Sequence, residues 1–181
     1  TPFQLLAPGP EVLVIGAGVT GLYALHRLRT LGIDAKIYEA GGGVGGTWYW
    51  NRYPGARFDS ESYTYGYSFS QELMQEWDWK EHFSPQPDNL EYLNLVADKF
   101  DLRRDMQFDA RVAAAHWDDA STRWTVTLES GEKAAARFLF TAIGILSAHT
   151  LPRIPGLESF RGPAHHTARW PHTPVDFTGK R

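Results

Sequence analysis

The stretch Glu11-Val12-Leu13-Val14-Ile15-Gly16-Ala17-Gly18-Val19-Thr20-Gly21 decides how the rest of the chain is read. Its first five residues are a short run rich in β-branched side chains and closed by glycine, the composition of a parallel strand buried on both faces. From Gly21 the period changes. Leu22, Leu25, Leu28 and Leu31 recur at helical spacing, and Gly32 stands where such a helix would end. Ala35 to Glu39 (AKIYE) reads as a second strand. Strand, glycine-rich turn, helix and strand within about 30 residues make a βαβ unit with a right-handed crossover.

The turn of that unit is G-x-G-x-x-G, and Glu39 closes the next strand at the distance where a carboxylate accepts hydrogen bonds from an adenosine ribose. Gly16 permits the tight turn, Gly18 lets backbone approach a pyrophosphate, and Gly21 lets the helix pack close to the strand. The helix N-terminus then faces the phosphates with unpaired N–H groups. A tight βα turn without a ligand is the alternative. Downstream, the chain continues not into further βαβ units but into a glycine-rich aromatic loop and an antiparallel meander, an organisation that suits FAD.

Composition bounds the possibilities. Among 181 residues, 18 Lys+Arg oppose 21 Asp+Glu for a net charge of -3, with 43% hydrophobic residues and no cysteine. A globular chain of this size buries roughly 70% of the surface its unfolded form exposes, so no metal or disulfide staple is required. The near-neutral balance argues against nucleic acid or an anionic membrane as the main partner. Zero cysteine removes thiol nucleophiles and zinc-cysteine clusters. Thr1 to Pro10 lack the basic start and apolar run of a signal peptide, and no stretch approaches a membrane span, which together read as a cytoplasmic protein without a metal site.

Gly41 to Ser70 is too rich in glycine and aromatic residues for either periodicity and reads as an ordered, covered loop. Gly41-Gly42-Gly43 reads as a flexible surface turn. Asp88 and Glu91 suggest a capping box opening a helix through Leu90, Leu93, Ala97 and Phe100, with Pro87 just before it. Met106–Trp117, Arg123–Leu128 and Lys133–Ala136 read as strands of a meander, and Arg137–Ile143 as one more apolar strand. From Ser147 the prolines forbid regular helix. The expected architecture is α/β: a Rossmann-like FAD-binding domain over 1–146, a parallel sheet with helices plus a small antiparallel meander. A Pro-rich connection over 147–181 follows it.

Gly45-Gly46-Thr47-Trp48-Tyr49-Trp50-Asn51-Arg52-Tyr53-Pro54-Gly55-Ala56-Arg57-Phe58-Asp59 resembles, without a mismatch, the [A/G]-G-x-W-x4-[F/Y]-P-[G/M]-x3-D motif of type I Baeyer-Villiger monooxygenases. Phe160-Arg161-Gly162-Pro163-Ala164-His165-His166-Thr167-Ala168-Arg169-Trp170-Pro171 is similar to the fingerprint of the same family, F-x-G-x3-H-x3-W-[P/D]. The resemblance runs from Val12 to the last residue and implies the N-terminal FAD-binding part of such an enzyme. Val175 to Arg181 then resembles the lead-in to an NADPH-binding domain that lies beyond this chain.

What the resemblance implies chemically is an FAD enzyme that takes a hydride from NADPH, adds O2 at the flavin C4a position and uses the peroxide to convert a cyclic or aryl ketone to an ester or lactone. Related N- or S-oxygenating flavin monooxygenases are the alternative activity, and a non-catalytic FAD-binding fragment is the alternative for the isolated chain. Gly46, Thr47 and Trp48 would lie along the flavin, with core packing the other reading of Trp48. Asp59 would sit on the nicotinamide side and tune a catalytic Arg outside this chain, an electrostatic role; an N-cap or turn carboxylate is its alternative. Arg57 would meet NADPH. Tyr65 and Val112 match FAD-lining positions, Val112 through backbone to the adenine, with strand core as their alternative. Gly144, in Ala142-Ile143-Gly144, permits close backbone approach to FAD. Phe160, Gly162, His166 and Trp170 carry the fingerprint, and His166 reads as a hinge between domains.

Overall fold

The computed structural model describes residues 9–180. In chain order its strands and α-helices are β1 (Val12–Ile15), α1 (Val19–Thr30), β2 (Ala35–Tyr38), α2 (Thr47–Trp50), α3 (Ser62–Tyr65), α4 (Gln71–Glu76), α5 (Gln86–Lys99), β3 (Met106–Gln107), β4 (Val112–Asp118), β5 (Arg123–Leu128), β6 (Lys133–Ala136) and β7 (Phe138–Thr141). Strands β3-β2-β1-β7 form a parallel sheet in that spatial order, and β4-β5-β6 an antiparallel one. The residues of the leader before Gly9, and Arg181 of the C-terminal stretch, lie outside the described residues.

Side-chain alternation along β1 explains the layering. Val12 and Val14 point to one face, where they join Leu22 and Leu25 of α1 and Leu93 and Val96 of α5. Leu13 points to the other face and joins Val126, Leu128 and Ala136 of the meander. The sheet is therefore buried on both sides, as an apolar strand without alternation requires. Each fully buried Leu or Val stabilises by about 1.5–3 kcal/mol relative to exposure. In α1 the leucine stripe holds for Leu22, Leu25 and Leu28; Leu31 is already the C-cap and is exposed. Gly32, at φ +72°, makes the left-handed turn out of the helix and donates to the Arg29 carbonyl.

Three expectations are corrected. The capping box does not form: α5 begins at Gln86 with Pro85 as its N-cap, and Asp88 lies inside the first turn. Pro87 is accommodated there because the first-turn N–H it lacks has no intrahelical partner anyway. The expected strand Met106–Trp117 is two strands in different sheets: β3 pairs with β2, and β4 starts the meander. Asp109, at φ +50°, turns the chain between them. Gly41-Gly42-Gly43 is not a free turn. Gly41 is buried, its N–H donates to Glu39 and its carbonyl accepts from the Asp109 N–H, while the Gly42 N–H donates to the Tyr49 hydroxyl.

The aromatic stretch is ordered but neither wholly irregular nor wholly covered: it holds α2 and α3, and Tyr63 is 65% exposed. Phe58 stacks on Tyr65 at 4.5 Å and meets Trp48 edge-on at 5.6 Å. Residues 147–180 contain no strand or α-helix, only two 3-10 turns, at Leu157–Ser159 and Thr167–Arg169. That stretch returns to the front of the domain, where His172 packs edge-on against Tyr49 and Trp50.

Candidate cofactor site

The carboxyl ends of β1 and β7, the start of α1 and the Gly45–Asn51 segment border an open cleft of about 1160 Å³. Gly16 and Gly18 form its floor, and Glu39, Gly46, Thr47, Trp48, Tyr65, Val112, Gly144 and Trp170 also line it. Gly21 lies beneath that floor: a Cβ there would stand 1.9 Å from the Gly16 carbonyl oxygen, so only glycine lets α1 start this close to β1. Gly18 and Gly46 touch through their backbones, because a Cβ on Gly46 would lie 2.8 Å from the Gly18 Cα. The Gly45 N–H donates to the Ala17 carbonyl at 3.0 Å and locks the two glycine turns together.

The Glu39 carboxylate, expected at a ribose, also has a structural task. One oxygen accepts from the Ala17 N–H and the other from the Gly41 N–H, each at 2.7 Å, with the side chain buried. The carboxylate thus clamps the phosphate-type turn to the loop after β2. Glu39 also lines the cleft, and a carboxylate that holds two amides keeps lone pairs able to accept further donors.

Helix α1 has no side-chain cap and no acidic residue in its first turn. The N–H groups of that turn keep their partial positive charge where Val19 and Thr20 line the cleft. An anionic ligand such as a pyrophosphate fits a wall of two bare glycine backbones beside an uncapped helix start. The carboxylate at the end of the neighbouring strand, and a cleft long enough to reach from Val112 to Gly144, suit a dinucleotide rather than a lone phosphate. FAD is compatible with this donor set.

At the far end, Trp48 is buried and donates its indole N–H to the Tyr65 hydroxyl at 2.6 Å, while its carbonyl accepts from Gln86. It is core and cleft wall at once. Burial pushes the Tyr65 phenol up from its ordinary pKa, partly offset by the Trp48 hydrogen bond. Val112 opens β4 beside Ala110, whose N–H donates to the Glu39 carbonyl at 2.8 Å.

Arg57 and Asp59 lie outside the cleft lining. Arg57 is exposed and bound to the Glu81 carboxylate at 2.8 Å and the Phe83 carbonyl at 2.7 Å. Asp59 is exposed, and among the described residues it makes no hydrogen bond or ion pair; Glu61, not Asp59, holds the N-cap position of the nearby helix α3, without a side-chain cap bond, so the capping alternative is not realised. In the fingerprint, the Phe160 ring covers Gly162, where a Cβ would meet it at 2.6 Å. His166 accepts from the Ala168 N–H at 3.1 Å, and Trp170 stacks on Phe177. Of these fingerprint residues only Trp170 reaches the cleft.

Several cleft residues escaped sequence reading. Arg169 donates to the His149 ring at 3.2 Å, and both line the cleft. Burial, then the charges of Arg169 and His166, hold the His149 imidazole below its usual pKa. Arg111 and Glu129 flank Val112, brought together by the pairing of β4 with β5. Trp50 and Arg169 stood inside the quoted motifs, whereas nothing in the sequence marks His149 or His172.

Fold and cleft together define a dinucleotide-binding α/β domain with a glycine-walled turn at the start of α1. The chain belongs to the flavin-binding monooxygenase-like family, whose profile matches residues 9–181. It is 48% identical over 171 residues to an acetone monooxygenase (methyl acetate-forming) of Gordonia sp. (strain TY-5), a match covering 94% of this chain and 32% of that protein. The structure of an oxidized steroid monooxygenase bound to NADP superposes with a TM-score of 0.88 at 55% identity, over 95% of this chain and 33% of that one. OTEMO in complex with FAD and NADP gives a TM-score of 0.89 at 46% identity, over 97% and 34%. The chain thus spans about a third of the length of the relatives it matches.

Proposed function

We propose that this chain is the FAD-binding part of an NADPH- and O2-dependent Baeyer-Villiger monooxygenase that converts ketones to esters or lactones. The observation that carries the reading is the joined pair of glycine turns, Gly16–Gly21 and Gly45–Gly46, under an uncapped helix start, with the W-x4-Y-P-G-x3-D motif continuing directly from the second turn. Relatives that span this motif include an acetone monooxygenase and an FAD- and NADP-bound enzyme.

FAD, when bound, supplies two-electron transfer and oxygen activation. The residues of this chain bind, orient and shield. Gly16, Gly18 and the first-turn amides of α1 hold the pyrophosphate; Glu39 accepts from the ribose while fixing Ala17 and Gly41. Val112 meets the adenine through its backbone, and Gly46, Thr47, Gly144 and Tyr65 border the flavin. Trp48 and Tyr65, tied by their hydrogen bond, keep water from the reacting centre. Asp59 is the residue proposed to act catalytically, from an exposed loop where NADPH and the rest of the enzyme can reach it, with Arg57 beside it. Residues 1–146 form the FAD domain and 147–181 the connection, in which His166 and its neighbours act as a hinge. A cytoplasmic location suits a reaction that draws on NADPH; no described helix is long and apolar enough to cross a membrane.

The test supplies the complete enzyme with NADPH, air and either a cyclic ketone or an amine or sulfide. Ester or lactone formation is expected. Oxygenation of the amine or sulfide without any ester or lactone overturns the ketone reading. Loss of bound flavin on Gly18→Val, where a Cβ would press on Gly46, tests the cleft itself.

A further inference from the structure

The flavin reading leaves the aromatic cluster behind the cleft unexplained, and the inference here rests on that reading. Trp48, at the cleft wall, is hydrogen-bonded to Tyr65, and Phe58 stacks on Tyr65 and stands 6.1 Å from Trp79. Trp79 lies 5.5 Å from Trp77 and 5.0 Å from Tyr92. Tyr92 lies 5.9 Å from Tyr67, and Tyr67 lies 6.3 Å from Tyr23. Tyr23 is 42% exposed on α1. A continuous file of rings therefore leads from the cleft through the core to solvent. This chain holds no cysteine and two methionines, so indoles and phenols are its main oxidisable side chains.

Hydrogen bonding along the file differs between middle and end. The Trp77 indole N–H is buried without an acceptor among the described residues. An indole that loses an electron there cannot shed its proton, so the oxidised state is not trapped. Among the described residues the Tyr67 hydroxyl donates to the Val19 carbonyl alone, a poor base, and the Tyr92 hydroxyl accepts from the Tyr67 N–H. Tyr23 alone in the file has both an oxidisable ring and open access to water, which takes its phenolic proton.

We propose that Trp48, Tyr65, Trp79, Trp77, Tyr92, Tyr67 and Tyr23 form a relay that carries one-electron oxidising equivalents out of the cleft to the protein surface. The oxidant is a radical derived from O2 during turnover that fails to oxygenate substrate. It takes one electron from Trp48, and electrons then step inward ring by ring past Phe58. Tyr23 finally loses one electron to the file and one proton to water. A low-molecular-weight thiol in solution returns one electron and one proton to Tyr23 and leaves as a thiyl radical. The oxidant is thereby reduced at the expense of a thiol, and the cleft residues are spared.

The experiment uses the FAD-loaded protein, in which blue-light excitation supplies a one-electron oxidant in place, and reads radicals by time-resolved absorption and electron paramagnetic resonance, with peptide mapping of oxidised residues. A tyrosyl radical assigned to Tyr23 is expected in the wild type. Tyr23→Phe, at an exposed position that leaves packing intact, removes that signal. Trp79→Phe keeps a ring of similar shape, breaks the file, abolishes the Tyr23 radical and shifts oxidation marks to Trp48. A Tyr23 radical of unchanged yield and lifetime in Trp79→Phe, or no radical beyond Trp48 in the wild type, overturns the relay while leaving the flavin reading standing. A protein that binds no FAD overturns both.

Discussion

Replacing Glu39 by Gln is the most direct probe of how the site is built. The wild-type carboxylate accepts two buried backbone N–H groups, from Ala17 and Gly41, at 2.7 Å each. Gln keeps one acceptor oxygen and turns its NH2 toward the other amide, which is left unsatisfied at about 1–3 kcal/mol. The surviving bond changes from charge-assisted to neutral and loses roughly half its strength, about 1 kcal/mol. The expected loss is about 2–4 kcal/mol, which for a chain of this size lowers Tm by roughly 4–16 °C. Calorimetry and urea titration on the flavin-free protein read this directly, and flavin titration reads the ribose contribution separately. A melting temperature within about one degree of the wild type would refute the clamp. A lowered Tm with undiminished FAD affinity would leave the clamp standing and remove Glu39 from the ribose.

Gly21→Ala places a Cβ 1.9 Å from the Gly16 carbonyl, so α1 must shift; a loss of about 1–3 kcal/mol or more is expected in thermal melts, together with weakened FAD binding. Arg29 donates to the carbonyls of Phe100 and Asp101 just past the end of α5, and Arg29→Ala should destabilise by about 1–3 kcal/mol in urea unfolding, with Arg29→Lys recovering part of it. His26 is depressed by burial first and then by Arg27 and Arg29, and His149 by burial and then Arg169 and His166. Since both folded pKa values lie below the usual 6.5, the unfolded chain binds the extra protons first. Stability is therefore full above that value and falls as pH drops through the folded pKa values. Imidazole NMR titrations should place both below free histidine, and His149→Gln should flatten part of the acid loss.

Legibility in the sequence followed the range of the interactions. The βαβ unit was readable because β-branched residues, helical leucine spacing and obligate glycines act within about 30 residues. Strands β5 and β6 were readable from their turns. The start of α5 was misread because Asp88 and Glu91 satisfy a local capping pattern, while the chain's real entry is set by the Gln86 N–H bonding to the Ala56 carbonyl. The run Met106–Trp117 was misread because periodicity cannot say that its first residues pair with β2 and its later ones with β5. Of the cleft, the glycines, Glu39 and the motif residues were visible beforehand; His149, His172, Arg111 and Glu129 were not, since the main chain brings them in from distant segments.

By itself the sequence determined the class of fold, the position of the glycine turn between β1 and α1 and membership of a motif-bearing family, because those depend on short-range sterics that only certain residues satisfy. Tertiary structure alone decided that Glu39 clamps two backbone turns, that Trp48 is both core and wall, and that a file of rings runs from Trp48 to Tyr23. Such relations join residues many positions apart, and their distances are set by how sheet, helices and meander close on one another, which no local pattern encodes.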